Sequence, residues 1–245
     1  MKKLRPSHRR YPPRASPRTR LAADIGGTFT DIVAFDEKTG RLLLGKALST
    51  PARLVDGISH GMERAGASFA GAEAFLVCRE DVAKSLNLPS IRILSTIERH
   101  NAFPNDPMQI RGGWELDIGE LWSMAALTPK DVDFVQTYDD YPVISMMQFE
   151  GLGFCAKGEG PQFVRSHTLT NDGTFPHNTS GGQLSVGQAG AAGGFLGLVE
   201  AMRQLTSQPL GSQVPNANAC LVSGFGMINY DRGLSSCAAV LARAA

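Results

Sequence analysis

Several stretches of the 245-residue chain carry residue types suited to chemistry at a site lined by main chain. From Asn178 to Gly194 the sequence is rich in glycine and alanine, and it runs straight into residues 195–205, where Leu196, Val199, Met202 and Leu205 recur at helical spacing. Glycine leaves the backbone bare, and the first amides of a helix have no intrahelical acceptor. The amides around Gly181, Gly182 and Gly187 are therefore candidates to hold an anion or a carbonyl oxygen. Tight packing of a helix on a sheet is the competing explanation for the same glycines. Upstream, Asp24-Ile-Gly26-Gly27-Thr28-Phe-Thr30 joins two strand-like runs. The amides of its turn, with the Thr28 and Thr30 hydroxyls, could hold phosphate oxygens, and Asp24 could orient hydrated magnesium. Between these stretches, Tyr138-Asp139-Asp140-Tyr141 follows an apolar run. The Tyr138 hydroxyl can donate to a developing oxyanion, or its ring can simply pack beneath a loop.

These residues need elements to position them. Residues 21–35 read as strand, glycine turn, strand, with a third strand at 41–48 and a helix at 54–65. Residues 70–78 form a buried-strand pattern, followed by a helix over 79–88 and a strand at 91–94. A helix over 117–127 places Ile118, Leu121, Trp122 and Ala125 on one face, a strand follows at 131–135, and a further helix covers 143–151. Alternation of this kind implies a layered α/β domain. No apolar run is long enough to span a membrane.

The net charge of +1 hides two unlike regions. The first twenty residues hold eight lysines and arginines and no acid, and prolines at 6, 12, 13 and 17 rule out a continuous amphipathic helix there. A solvated, disordered basic tail over 1–20 is expected, with no nucleic-acid partner. Cys78, Cys155, Cys220 and Cys237 lack metal-ligand spacing, so a reduced cytoplasmic setting without a metal site is expected.

The stretch from Asn178 to Leu205 resembles the loop and helix that carry the Gly-His-Pro motif of the thiolase superfamily, reading Gly187-Gln188-Ala189 here. The resemblance covers about 71–245 and implies a thiolase-like layered C-terminal domain over 70–245, with a coenzyme A thioester as substrate. At Tyr138 it is similar to the thiolase-like lyases that work with a small zinc-ribbon and OB-fold partner and cut carbon–carbon bonds by retro-aldol chemistry. Gln188 replaces the family histidine; its amide can donate to an oxyanion but cannot take up a proton near neutral pH. The family's late Cys-x-Gly-x-Gly motif appears with Gly224 and Gly226 but with Val222 at the cysteine position. Cys220 lies two residues early, about 6.6 Å along a strand, and reads as a buried structural thiol. His167 and His177 fall near the motif without occupying it and are expected to be solvated loop residues. The acyl-accepting cysteine belongs to the other half of a thiolase, so covalent thioester chemistry would require a chain supplying that half.

Residues 21–69, through Asp24-Ile-Gly-Gly-Thr-Phe-Thr-Asp31, resemble the start of the hydantoinase/oxoprolinase family. This implies a β-hairpin fragment of an actin-like ATPase fold. The second phosphate loop and adenosine motif of that fold are not found, so ATP and magnesium binding is not expected. Three functions follow as alternatives: an acyl-CoA acyltransferase or retro-aldol/Claisen-type lyase, dependent on a partner and inactive alone; a non-catalytic thiolase-fold scaffold subunit; and an ATP-dependent hydantoinase-like fragment.

Overall fold

The computed structural model describes residues 19–25, 29–36, 39–48, 54–66, 77–86, 89–106, 109–187, 194–229 and 232–244. Most of the basic tail and the predicted strand at 70–78, up to residue 76, lie outside these residues. The chain divides into two compact units, Met1–Val77 and Cys78–Ala245.

The first unit is an antiparallel meander of β1 (Thr19–Ile25), β2 (Phe29–Asp36) and β3 (Arg41–Leu48), followed by α1 (Leu54–Ala65). Ile32 and Leu43 pack against Ile58, Met62 and Ala65 of the helix. Two glycines permit this close approach. A Cβ on Gly45 would lie 2.0 Å from the Gly61 carbonyl oxygen, and one on Gly61 would lie 2.5 Å from Ile32 Cγ1. The third strand expected at 41–48 is β3, which pairs with β2 along its whole length and extends the hairpin to a three-stranded sheet.

The second unit has mixed α/β architecture. Its elements are α2 (Glu80–Leu86), β4 (Ile91–His100), α3 (Trp114–Ala125), β5 (Phe134–Gln136), α4 (Pro142–Gly151), α5 (Gly160–Ser166), α6 (Gly182–Val186), α7 (Phe195–Leu205), β6 (Ala219–Asn229) and β7 (Arg232–Arg243). The sheet order is β4-β7-β6-β5, with β5 parallel to β6 and the other pairs antiparallel. Neighbouring strand residues point to opposite faces. Leu221 and Val240 thus join the larger core with Trp114, Leu121, Ile144 and Phe149, while Cys220 and Leu241 join Phe134, Ala201 and Leu205 on the other face. The sheet is covered by α3 and α4 on one side and by α7 on the other.

The strand β4 runs six residues beyond the predicted end at residue 94. Its second half is polar and only pairing with β7 makes it a strand, from Ser95↔Val240 to His100↔Ser235. Trp114 is fully buried; its Nε1 donates to the Cys237 carbonyl at 3.0 Å, and a Cβ on Gly112 would collide with its ring at 1.9 Å. The turn after α3 is fixed by reciprocal capping, Thr128 N donating to Asp131 Oδ2 at 2.7 Å and Lys130 N to Thr128 Oγ1 at 3.4 Å. Among the described residues no helix is long and apolar enough to cross a membrane, and no cluster of His, Cys, Asp and Glu could hold a metal ion.

Candidate functional site

The short strand β5 is buried throughout and ends at Gln136, delivering Thr137, Tyr138 and Asp139 at the carboxyl edge of the sheet. Its outer edge is closed by residues 176–178, through Val135 N to Pro176 O at 3.0 Å and Asn178 N to Val135 O at 3.0 Å. That pairing brings the start of the glycine loop beside Tyr138. Asn178 Oδ1 accepts from Thr137 N at 2.8 Å, and Thr179 Oγ1 accepts from Gln136 Nε2 at 2.8 Å. Thr179 Oγ1 then donates to Glu200 Oε1 at 2.7 Å, which also accepts from Gln204 Nε2 at 2.8 Å. Glu200 and Gln204 are buried on α7, so one polar chain ties strand, loop and helix.

The peptide group of Tyr138 is gripped by one side chain. Gln148, fully buried in α4, accepts from Tyr138 N at 3.2 Å and donates to Tyr138 O at 2.7 Å. Ser223 Oγ of β6 donates to Gln148 Oε1 at 2.6 Å, and the Ser223 carbonyl accepts Tyr138 N at 3.2 Å. The Tyr138 ring is half-buried against the larger core. A buried amide whose donors and acceptors are all used fixes its neighbours strongly, because any displacement leaves polar groups unpaired.

Asp139 is buried and its Oδ1 accepts from Gln183 N at 2.7 Å, pinning the glycine loop at the first turn of α6. Gly181 and Gly182 have φ of +95° and +65°, a region natural to glycine. At Gly182 a side chain is also excluded by space, since a Cβ would lie 1.9 Å from Asp139 Oδ2. The amides of Gly181 and Gly187 are used within the loop, donating to Asn178 O at 2.6 Å and Gln183 O at 2.9 Å. Of the three glycines predicted to bind an oxygen, Gly182 is the one at the first position of α6, beside Asp139. Asn178 Nδ2 and Gln183 Oε1 are buried with no hydrogen-bond partner. Gln188 lies outside the described residues, as do Gly26, Gly27 and Thr28. Asp24 and Thr30 are described by backbone alone, in the hairpin registers Asp24↔Asp31 and Ile25↔Thr30.

The histidines are placed differently from the expectation of solvated loop residues. His177 Nε2 lies 2.7 Å from Thr137 Oγ1, with its ring 4.8 Å from the Phe149 ring centre. Ser145 Oγ lies 2.9 Å from the same Thr137 Oγ1, so the three side chains form one polar cluster. Burial lowers the His177 pKa to about 4, which keeps the ring neutral. His167 stacks on Phe163, ring centres 4.1 Å apart. Cys220 is fully buried, and burial followed by the nearby Asp133 charge raises its pKa well above the usual thiol range, in keeping with a structural thiol.

Sequence reasoning left Asp139, Gln148, Asn178 and Ser223 without roles. The signal for Gln148 was present: it falls four residues after Ile144 and four before Leu152, an amide on the apolar stripe of a helix. Nothing local marked Asn178 or Ser223, whose partners lie 41 and 75 residues away.

With this geometry in place, residues 120–242 match the thiolase C-terminal domain-like family, half of the chain. The chain belongs to that family. Residues 20–76 separately match the hydantoinase/oxoprolinase N-terminal region. Benzoylsuccinyl-CoA thiolase subunit BbsB of Thauera aromatica is 31% identical over 147 residues, covering 59% of this chain and 38% of that protein. The 17-hydroxy-3-oxo-4-pregnene-20-carboxyl-CoA lyase of Mycobacterium tuberculosis is 34% identical over 108 residues, 44% of this chain and 27% of the lyase. Among solved structures, the Ltp2-ChsH2(DUF35) aldolase matches with a TM-score of 0.53 and 25% identity, over 67% of this chain and 42% of its own. The thiolase-like chain thus spans less than half the length of each of these relatives.

Proposed function

We propose that the unit Cys78–Ala245 handles acyl-CoA thioesters, as part of an acyltransferase or a retro-aldol/Claisen-type lyase whose nucleophile-bearing half is supplied by another chain. The observation that carries this reading is the double fixation at the sheet edge: Gln148 and Ser223 grip the Tyr138 peptide, and Asp139 pins the glycine loop beside it. Preorganised donors at fixed positions are what stabilisation of a developing oxyanion requires. In this scheme the Tyr138 hydroxyl and the Gly182 amide donate to the thioester oxygen, and the Gln188 amide is a further donor that moves no proton. Gly181 and Gly187 act by shaping the loop, since their amides are already used within it.

Two relatives support the need for a second chain. BbsB is a subunit by name, and the name of the solved aldolase joins Ltp2 to ChsH2(DUF35). The partner proposed here is a small zinc-ribbon/OB-fold protein or a chain carrying the other thiolase half. Titration calorimetry with acetyl-CoA, alone and with such a partner, tests the reading. Saturable binding that weakens about fivefold in Tyr138→Phe is expected, the loss of one hydrogen bond of about 1 kcal/mol to a neutral carbonyl oxygen. Absence of acyl-CoA binding under both conditions refutes it.

One observation favours a non-catalytic scaffold instead, namely that the loop uses two of its three candidate glycine amides internally. Mass spectrometry separates the two readings: an acyl adduct on any cysteine of the assembled complex after exposure to a thioester removes the scaffold.

A further inference from the structure

A cavity of about 840 Å3 opens between the turn after α3, the end of α4, α5 and the segment around Phe175. Neither Tyr138 nor any residue from 178 to 187 lines it, so it is separate from the site above. Its size falls among small-molecule sites. Four rings form its apolar wall. Phe163 faces His167 at 4.1 Å and 31°, meets Phe175 edge-on at 4.9 Å and 87°, and Phe175 meets Phe154 at 5.2 Å and 71°. Cys155 adds a thiol that burial, with Glu150 and Glu159 nearby, pushes up to about 11, so it is neutral and behaves as a small apolar group. The rest of the lining includes exposed polar residues, Thr128, Lys130, Glu159, Gln162, Ser166 and Thr174.

Aliphatic walls would accept any greasy ligand of suitable volume. A wall built from Phe154, Phe163, His167 and Phe175 offers ring surface, which favours another aromatic ring over an aliphatic group of the same volume. We infer that this cavity is a binding site for a planar aromatic small molecule, its ring packed against the wall of Phe163, Phe175 and Phe154 and its polar substituent beside Lys130 and Glu159.

The test uses the full chain with 2-naphthol as a fluorescent, uncharged probe, and decahydro-2-naphthol as its saturated counterpart in competition. Saturable binding of 2-naphthol is expected, with the saturated alcohol about tenfold weaker, the difference made by one or two aromatic contacts. Ser166→Trp and, independently, Gln162→Trp place a large side chain in the cavity from residues at its exposed margin, and each is expected to abolish binding while the thermal unfolding transition is retained. Phe163→Leu keeps an apolar wall and removes a ring face, and should erase the preference for the aromatic alcohol. The inference is overturned if 2-naphthol shows no saturable binding, if the saturated alcohol binds as tightly, or if both blocking variants fold and bind it undiminished.

Discussion

Replacing Gln148 by leucine keeps the approximate shape of the side chain and removes both hydrogen bonds by which Gln148 holds the Tyr138 peptide. Tyr138 N retains the Ser223 carbonyl at 3.2 Å, and Tyr138 O retains Ser145 Oγ at 3.5 Å. The Ser223 hydroxyl loses its acceptor inside the core, where it is almost fully buried. An orphaned buried donor costs about 1–3 kcal/mol, and weakening at the Tyr138 carbonyl adds about 1 kcal/mol, so a loss of about 3 kcal/mol is expected. For a unit of this size that lowers the midpoint by about 6–12 °C. Urea unfolding followed by tryptophan fluorescence reports the second unit alone, because both tryptophans of the chain, Trp114 and Trp122, lie in α3. The variant pair Gln148→Leu and Ser223→Ala completes a cycle. The double variant should be less damaged than the sum of the singles by about 1 kcal/mol, since Ser223→Ala removes the donor that Gln148→Leu strands. Loss of less than about 0.5 kcal/mol in Gln148→Leu, the size of an ordinary surface change, would refute the claim that this amide holds the site.

Gly182→Ala should destabilise the unit by about 1–3 kcal/mol, the cost of a strained backbone position, because φ there is +65° and the new Cβ meets Asp139 Oδ2; a stability equal to that of the parent in the same urea experiment contradicts it. His177 gives a pH signature whose sign follows from its lowered pKa of about 4. The folded state refuses a proton that the unfolded chain accepts below about pH 6.5, so this contribution to stability is complete above pH 6.5 and falls towards pH 4 by about 3 kcal/mol at most. The difference between parent and His177→Gln across that window reads it, and parallel pH profiles would exclude it. Burial raises the pKa of Cys155 to about 11 and that of Cys220 well above the usual thiol range. Iodoacetamide at pH 7.5 should therefore modify them slowly in the native protein and rapidly in urea, as mass spectrometry would show, with Cys220 protected longest.

Much of the framework is legible from local pattern. The apolar spacing over 195–205 coincides with α7 at Phe195–Leu205, and that over 54–65 with α1 at Leu54–Ala65. Helix α3 begins three residues earlier than the predicted 117 because Trp114 is anchored by a carbonyl on β7 and by the space over Gly112, neither of which has a local signature. The helix α5, to which the sequence reading assigns no element, opens at Gly160-Pro161 and is held by Phe163 packing on Phe149 and by Gly160 N donating to Glu150 Oε1 at 2.9 Å. Of the candidate site, Tyr138 and the glycine loop were legible as chemistry, while what holds them was not.

That difference follows from the range of the interactions. A catalytic tyrosine or a bare glycine amide is identifiable by type, since the group that would meet substrate is the residue itself. The residues that aim it act through partners brought near only by the completed sheet: Gln148 reaches Ser223 of β6, and Asn178 reaches Thr137 only because residues 176–178 close the edge of β5. Such amides and hydroxyls look like ordinary polar residues until the fold removes water from around them, at which point each bond becomes costly to break. The rigidity resides in the Gln148, Ser223 and Asp139 contacts within Cys78–Ala245, whereas the chemistry proposed for it depends on a partner.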